Sequence, residues 1–181
     1  MKNIATNSRP QRGFTQIELM IAIAILAILT TVAMPAVGSF MQRNTLLGAS
    51  NSMITSLNFT RSQAVTSNQR IIMCASSNIH AADPVCDGGN QWHNGWLIYH
   101  DVNSNSQRDS GEQILRVDEL PDNIQASSGG RERFRFLANG TALGNTGTIR
   151  LCMPELDDRS YRVIISNTGR IRSEQDNVGC S

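Results

Sequence analysis

The sequence predicts an α+β fold in which a long N-terminal hydrophobic helix packs on an antiparallel β-rich head. Three observations carry this. Leu19–Val37 contains no charge and only two hydroxyl residues, Thr30 and Thr31, and no later run compares with it. Leu46, Met53, Leu57 and Ala64 then recur at steps of seven, four and seven, with Leu47 and Ile54 widening the stripe, which is the period of one helix face. After Gln69 the period changes to short runs rich in Val, Ile, Tyr and Phe between clusters of Gly, Asn, Asp and Ser, as antiparallel strands require. A chain of 181 residues has room for one small head and one long accessory element, and 40% hydrophobic with 17% charged residues argues against wholesale disorder.

Residues 1–13 are a polar, basic leader carrying Lys2, Arg9 and Arg12, and the apolar run starts directly behind Gly13. A secretory signal is cut behind its apolar stretch. Such a cut here would leave nothing to hold the chain in a bilayer, so the run is expected to stay with the mature chain. Residues 14–37 number 24, about 36 Å as a helix, enough for a hydrocarbon core of about 30 Å. Glu18 lies just inside this run, where an unpartnered carboxylate costs about 2.5–3.5 kcal/mol at the bilayer centre. One role open to it is marking the helix end at the lipid surface. Pro35 predicts a kink, local melting or the end of the membrane helix.

Residues 38–68 form the amphipathic half of the helix and residues 69–181 the head. Strands are expected near Arg70–Ala75, Trp96–Asp101, Ile114–Val117, Arg133–Leu137, Thr148–Met153 and Tyr161–Ser166, with a last one starting at Arg170. Neither a fixed repeat nor a Pro/Ser/Gly-rich linker divides the head.

The formal charge is +1, and loss of residues 1–13 would leave thirteen arginines against fifteen acids. The mature chain is therefore not globally basic. Between Arg131 and Arg172, however, eight arginines face four acids, a local excess suited to an anionic partner. Lys2 is the only lysine, so every mature side-chain cation apart from histidine is a planar guanidinium. Cys74, Cys86, Cys152 and Cys180 form no C-x-x-C pair, which excludes zinc-ribbon spacing. Two disulfides in an oxidising compartment are expected. Proximity favours Cys74 with Cys86 and Cys152 with Cys180, and three pairings are possible.

Arg12, Gly13, Phe14, Thr15, Gln16, Ile17, Glu18 and Leu19 read R-G-F-T-x-I-E-L, which resembles the class III signal of type IV pilins and secretion pseudopilins. The resemblance implies that a prepilin peptidase cuts after Gly13 and methylates Phe14, and that Glu18 guides the subunit into a filament. Along the chain, Arg61-Ser62-Gln63-Ala64-Val65, Gly95-Trp96-Leu97-Ile98-Tyr99, Asn139-Gly140 and Gly169-Arg170 follow the order of the GspH/FimT family, implying a pilin-like fold. The resemblance implies an inner-membrane, single-pass protein with a periplasmic head and other pilins or pseudopilins as partners, and no cofactor is expected. Met34-Pro35-Ala36 and Thr168-Gly169-Arg170-Ile171-Arg172 look more like FimT, whose family is linked to DNA uptake through G-R-x-R. The alternative is a GspH-like pseudopilin of type II secretion that touches no nucleic acid.

On that resemblance the DNA-binding candidates are Gly169, Arg170 and Arg172. A turn at Gly169 followed by extended chain puts Arg170 and Arg172 on one face and Ile171 on the other, and Arg162 on the preceding strand could join them. The same arginines also suit an edge strand that must stay soluble. Arg131, Arg133 and Arg135, alternating with Glu132, Phe134 and Phe136, describe a strand with its phenylalanines inward. Asp101, Asn103, Asn105, Gln107, Asp109 and Glu112 occupy the ligand places of a calcium loop. Ser106 stands where glycine is usual and the flanks read as strands, so a hairpin turn is the first reading and no metal is assigned. Trp92 and Trp96 could stack on bases, but packing against the helix is the first reading. His80, His93 and His100 have no catalytic spacing, and no G-x-S-x-G, H-E-x-x-H or phosphate loop occurs, so an enzyme is not expected.

Overall fold

The computed structural model describes residues 13–180, apart from the side chains of residues 32–36. The leader expected at residues 1–13 therefore lies outside the described residues except for Gly13, whereas at Pro35 the backbone is helical on both sides and the local melting expected there does not occur. Among the described residues one helix, α1 (Gln16–Ser67), precedes eight strands: β1 (Ile71–Ala75), β2 (Trp96–His100), β3 (Ile114–Asp118), β4 (Gln125–Ser127), β5 (Arg133–Phe136), β6 (Gly147–Cys152), β7 (Ser160–Ile165) and β8 (Ile171–Asp176). The chain forms two units, residues 1–40 and 41–181.

Within the second unit, α1 buries a seam of Leu46, Ser50, Met53, Leu57, Thr60 and Ala64, all fully inaccessible. Their alternating steps of four and three keep one helix face inward. Three hydroxyls belong to this packing: Ser50 Oγ lies 3.0 Å from Ser173 Oγ, Ser56 Oγ donates to Asp118 Oδ2 at 2.6 Å, and Thr60 Oγ1 donates back to Ser56 O at 2.7 Å. Ile54 packs at the border of the core. Leu47 does not widen the stripe as expected; it is 41% exposed, because it lies one residue, about 100°, off the buried line.

The strands form two antiparallel four-stranded sheets, β3-β2-β1-β5 and β4-β6-β7-β8. In β1, Ile71, Met73 and Ala75 join one core with the helix seam, Trp96, Ile98, Phe134 and Phe136, and with Ile149, Leu151, Val163 and Ile165 of the second sheet. Ile72 and Cys74 point the other way, into a smaller cluster with Leu97 and Tyr99. A strand buried on both faces has no polar alternation, and β1 reads accordingly. Strand β4 was not expected from the sequence: at three residues it carries too little pattern.

Both bridges favoured by proximity are formed, Cys74–Cys86 and Cys152–Cys180. The first ties β1 to the loop before β2, and the second ties β6 to the C-terminus.

Candidate nucleic-acid interface and assembly terminus

In the first unit, α1 opens on a reciprocal cap. The backbone N and Oγ1 of Thr15 each donate to Glu18 Oε2 at 3.0 Å, and Glu18 N donates to Thr15 Oγ1 at 3.3 Å. This is a capping box, which satisfies the free amides of a helix start. The reading of Glu18 as interface marker or assembly residue missed it, although Thr15 three places earlier is its sequence signal. Phe14 is 92% exposed, and every large apolar side chain from Ile17 to Leu29 is more than half exposed. A helix apolar all round needs lipid or other helices about it. Among the described residues no helix is long and apolar enough to cross a membrane; the expected span 14–37 takes in residues 32–36, whose side chains lie outside them.

In the second unit, three separate motifs meet. Arg61 Nε donates to Gly140 O at 2.9 Å and its Nη2 to Thr168 O at 3.5 Å. Gly140 and Gly169 both have φ of +75°, and a Cβ on Gly169 would lie 2.0 Å from Gly140 O. Only glycine accepts both the left-handed conformation and the approach of another backbone. Gly169 is buried, and its turn immediately precedes the exposed Arg170. The clamp by Arg61 was not legible, since nothing local in the sequence couples the helix to the two turns.

Strand β8 begins one residue later than expected, at Ile171, and Ile171 packs against the core while Arg170 and Arg172 are exposed. Register aligns Ile164 with Arg172 and Arg162 with Glu174, so Arg162 shares the outer face of the second sheet with Arg172. Arg150, opposite Arg162 on β6, adds a further guanidinium there. Carboxylates of β8 answer them: Arg172 Nε donates to Glu174 Oε1 at 2.9 Å, and Arg162 Nη2 reaches Glu174 Oε2 at 3.4 Å. Among the described residues Arg170 enters no ion pair. Glu174, Asp176 and Arg150 were not singled out in the sequence. Their signal was the two-residue spacing of Arg172, Glu174 and Asp176, which puts all three on one side of a strand.

The remaining candidates have other employment. Trp92 and Trp96 are fully buried, Trp92 lies 5.3 Å from Phe134 and its Nε1 donates to Arg131 O at 3.0 Å; both are core residues and neither offers a ring to a base. Phe134 and Phe136 point into the core, whereas Arg133 and Arg135 bond Ser106 of the 101–112 loop. In that loop Asp101 Oδ2 takes Arg70 Nη1 at 3.2 Å, Asp109 Oδ2 takes Asn103 and Asn105 at 2.7 and 2.8 Å, and Glu112 takes the amides of Val102 and Asp109 at 2.8 and 3.1 Å. It connects two neighbouring antiparallel strands, β2 and β3, as a hairpin does. Among the described residues no three His, Cys, Asp or Glu side chains could hold a metal. Burial, and then the charge of Asp101, raise the Tyr99 phenol above its ordinary range.

Residues 49–169 match the family described as type II transport protein GspH, and residues 8–34 match the prokaryotic N-terminal methylation motif. Two crystal forms of the type IV minor pilin FimU of Pseudomonas aeruginosa PAO1 are similar in structure. One is 24% identical, with a TM-score of 0.54 over 71% of this chain and 92% of FimU. The other is 25% identical, with a TM-score of 0.56 over 75% and 92%. A search of curated protein sequences returned no match. A methylation-motif terminus, a helix followed by two antiparallel sheets and a profile match over most of the head together make this chain a member of the GspH family, a pilin-like subunit anchored in a membrane and built for a pilus or pseudopilus.

Proposed function

We propose that the chain is a minor pilin of a type IV pilus whose arginine edge captures double-stranded DNA for uptake. Prepilin peptidase removes residues 1–13 and methylates Phe14. The apolar half of the helix then holds the subunit in the inner membrane by a single pass, with the head in the periplasm, until Glu18 guides it into the filament beside other pilins. No catalysis and no cofactor belong to this reading. The observation that carries it is the exposure of Arg170 and Arg172 at the start of β8, on the face that also bears Arg162. Guanidinium forks match phosphate oxygens in bidentate geometry. Contacts of this kind give affinity without sequence preference and weaken steeply with salt.

The description of the matched family favours a second reading, a minor pseudopilin of type II secretion with no nucleic-acid contact. The two separate on one measurement: binding of the full-length chain, in non-ionic detergent, to duplex DNA over a range of salt. The DNA reading expects binding that falls with salt, and a slope shallower in Arg170→Ala/Arg172→Ala by about 0.9 for each of the two that neutralises a phosphate without first giving up a carboxylate. Equal retention of parent and double variant would leave the secretion reading standing.

A further inference from the structure

Guanidinium and carboxylate groups alternate across the outer face of the second sheet in the order Arg150, Asp176, Arg162, Glu174, Arg172. Asp176 Oδ2 lies 3.7 Å from Arg150 Nη2 and 3.1 Å from Arg162 Nε, and Glu174 joins Arg162 at 3.4 Å to Arg172 at 2.9 Å. Strand register makes this arrangement necessary. Arg150 and Arg162 stand directly opposite each other on β6 and β7, and like charges in that position repel unless a carboxylate lies between them. Asp176, which reaches both, supplies that carboxylate, and Glu174, directly opposite Arg162 on the other side, joins Arg162 to Arg172.

The ladder is partly exposed. Its side chains are between 27% and 47% exposed, and exposed ion pairs of this kind are weak and easily exchanged. A guanidinium fork that holds a carboxylate is not free to take a phosphate in the same geometry. A carboxylate left in place would also face a polyanion and repel it.

We infer that Glu174 and Asp176 are built-in competitors of the DNA backbone on this face. They occupy Arg150, Arg162 and Arg172 until phosphates displace them, and Arg170, which holds no carboxylate, is where a duplex first engages. The inference rests on the DNA-capture reading above and adds two things to it: a further contact residue, Arg150, and an internal brake on affinity. Binding then proceeds by exchange of one anion for another, so the parent's salt dependence is shallower than its number of outward arginines implies.

The test is duplex binding by the full-length chain in non-ionic detergent across a salt series, comparing the parent with Glu174→Gln, Asp176→Asn and Arg170→Ala/Arg172→Ala. Glu119→Gln removes the same charge outside the second sheet and serves as the charge control. Glu174→Gln and Asp176→Asn are each expected to bind about two- to five-fold more tightly, the range an exposed ion pair can withhold. The salt slope of Glu174→Gln should steepen by about 0.9 as Arg172 becomes free. The inference is overturned if Glu174→Gln binds no more tightly than the parent, or gains no more than Glu119→Gln. In that event a loss in Arg170→Ala/Arg172→Ala still leaves the DNA reading intact, whereas no binding by any of these proteins ends both. Unfolding midpoints establish that each variant is folded, and should Glu174→Gln fail to fold, Asp176→Asn decides by the same criteria.

Discussion

Gly169 illustrates how a residue without a side chain can set where two charged ones stand. Its φ of +75° and the carbonyl of Gly140 beside it leave no room for a Cβ, and Arg61 secures both turns from the helix. Gly169→Ala is expected to destabilise the head by about 2–4 kcal/mol, combining the left-handed penalty with displacement of the 140 turn. Urea unfolding measures this, and a variant as stable as the parent would mean that the 140 turn gives way freely. A turn at Gly169 is legible in the sequence because glycine followed by an extended run is a local signal. The contact with Gly140 is not, because it joins positions remote in the chain. At the other end of the sequence, Thr15 and Glu18 show the converse: a purely local bond, fully written in T-x-x-E, belongs to a residue whose proposed role in assembly draws attention first.

At the scale of elements, the helix seam mixes leucine, methionine and alanine with Ser50 and Thr60. Periodicity finds the apolar members, but hydroxyls in a buried line read as polar gaps until their partners, Ser173 across the interface and the preceding turn, are known. The seam predicts a sharp contrast between neighbours. Leu57→Ala should cost about 2–5 kcal/mol, since a fully buried leucine leaves a cavity, while Leu47→Ala on the exposed flank should stay within about 0.5 kcal/mol. Comparable losses at the two positions, measured by the same unfolding experiment, would contradict the placement of the seam. The longer strands were legible to within a residue or two because β-branched and aromatic runs end at turn residues. The short β4 was not, and it exists because β6 offers an edge and Trp92 N bonds Ala126 O at 2.9 Å.

At the scale of the whole molecule, two disulfides close loops of 12 and 28 residues. In the chain-entropy account the longer is worth about 3–4 kcal/mol, and Cys152→Ser/Cys180→Ser should lower the melting temperature accordingly. Melting that is unchanged by this double substitution would show that the C-terminal segment contributes nothing through its bridge. By itself the sequence determined the class of the fold, the apolar helix and the strand-forming runs, because each depends on neighbours within a few positions. It also placed Arg170 and Arg172 outward on either side of the core-facing Ile171, since alternation is local. Tertiary structure alone decided which strands pair, which of the outward arginines hold carboxylates and which does not, and that Trp92 and Trp96 lie in the core. Register brings Arg162 between Glu174 and Asp176, and a shift of one residue would send every one of these side chains to the opposite face. Such pairing depends on how buried surfaces close over one another, which no short window of sequence contains.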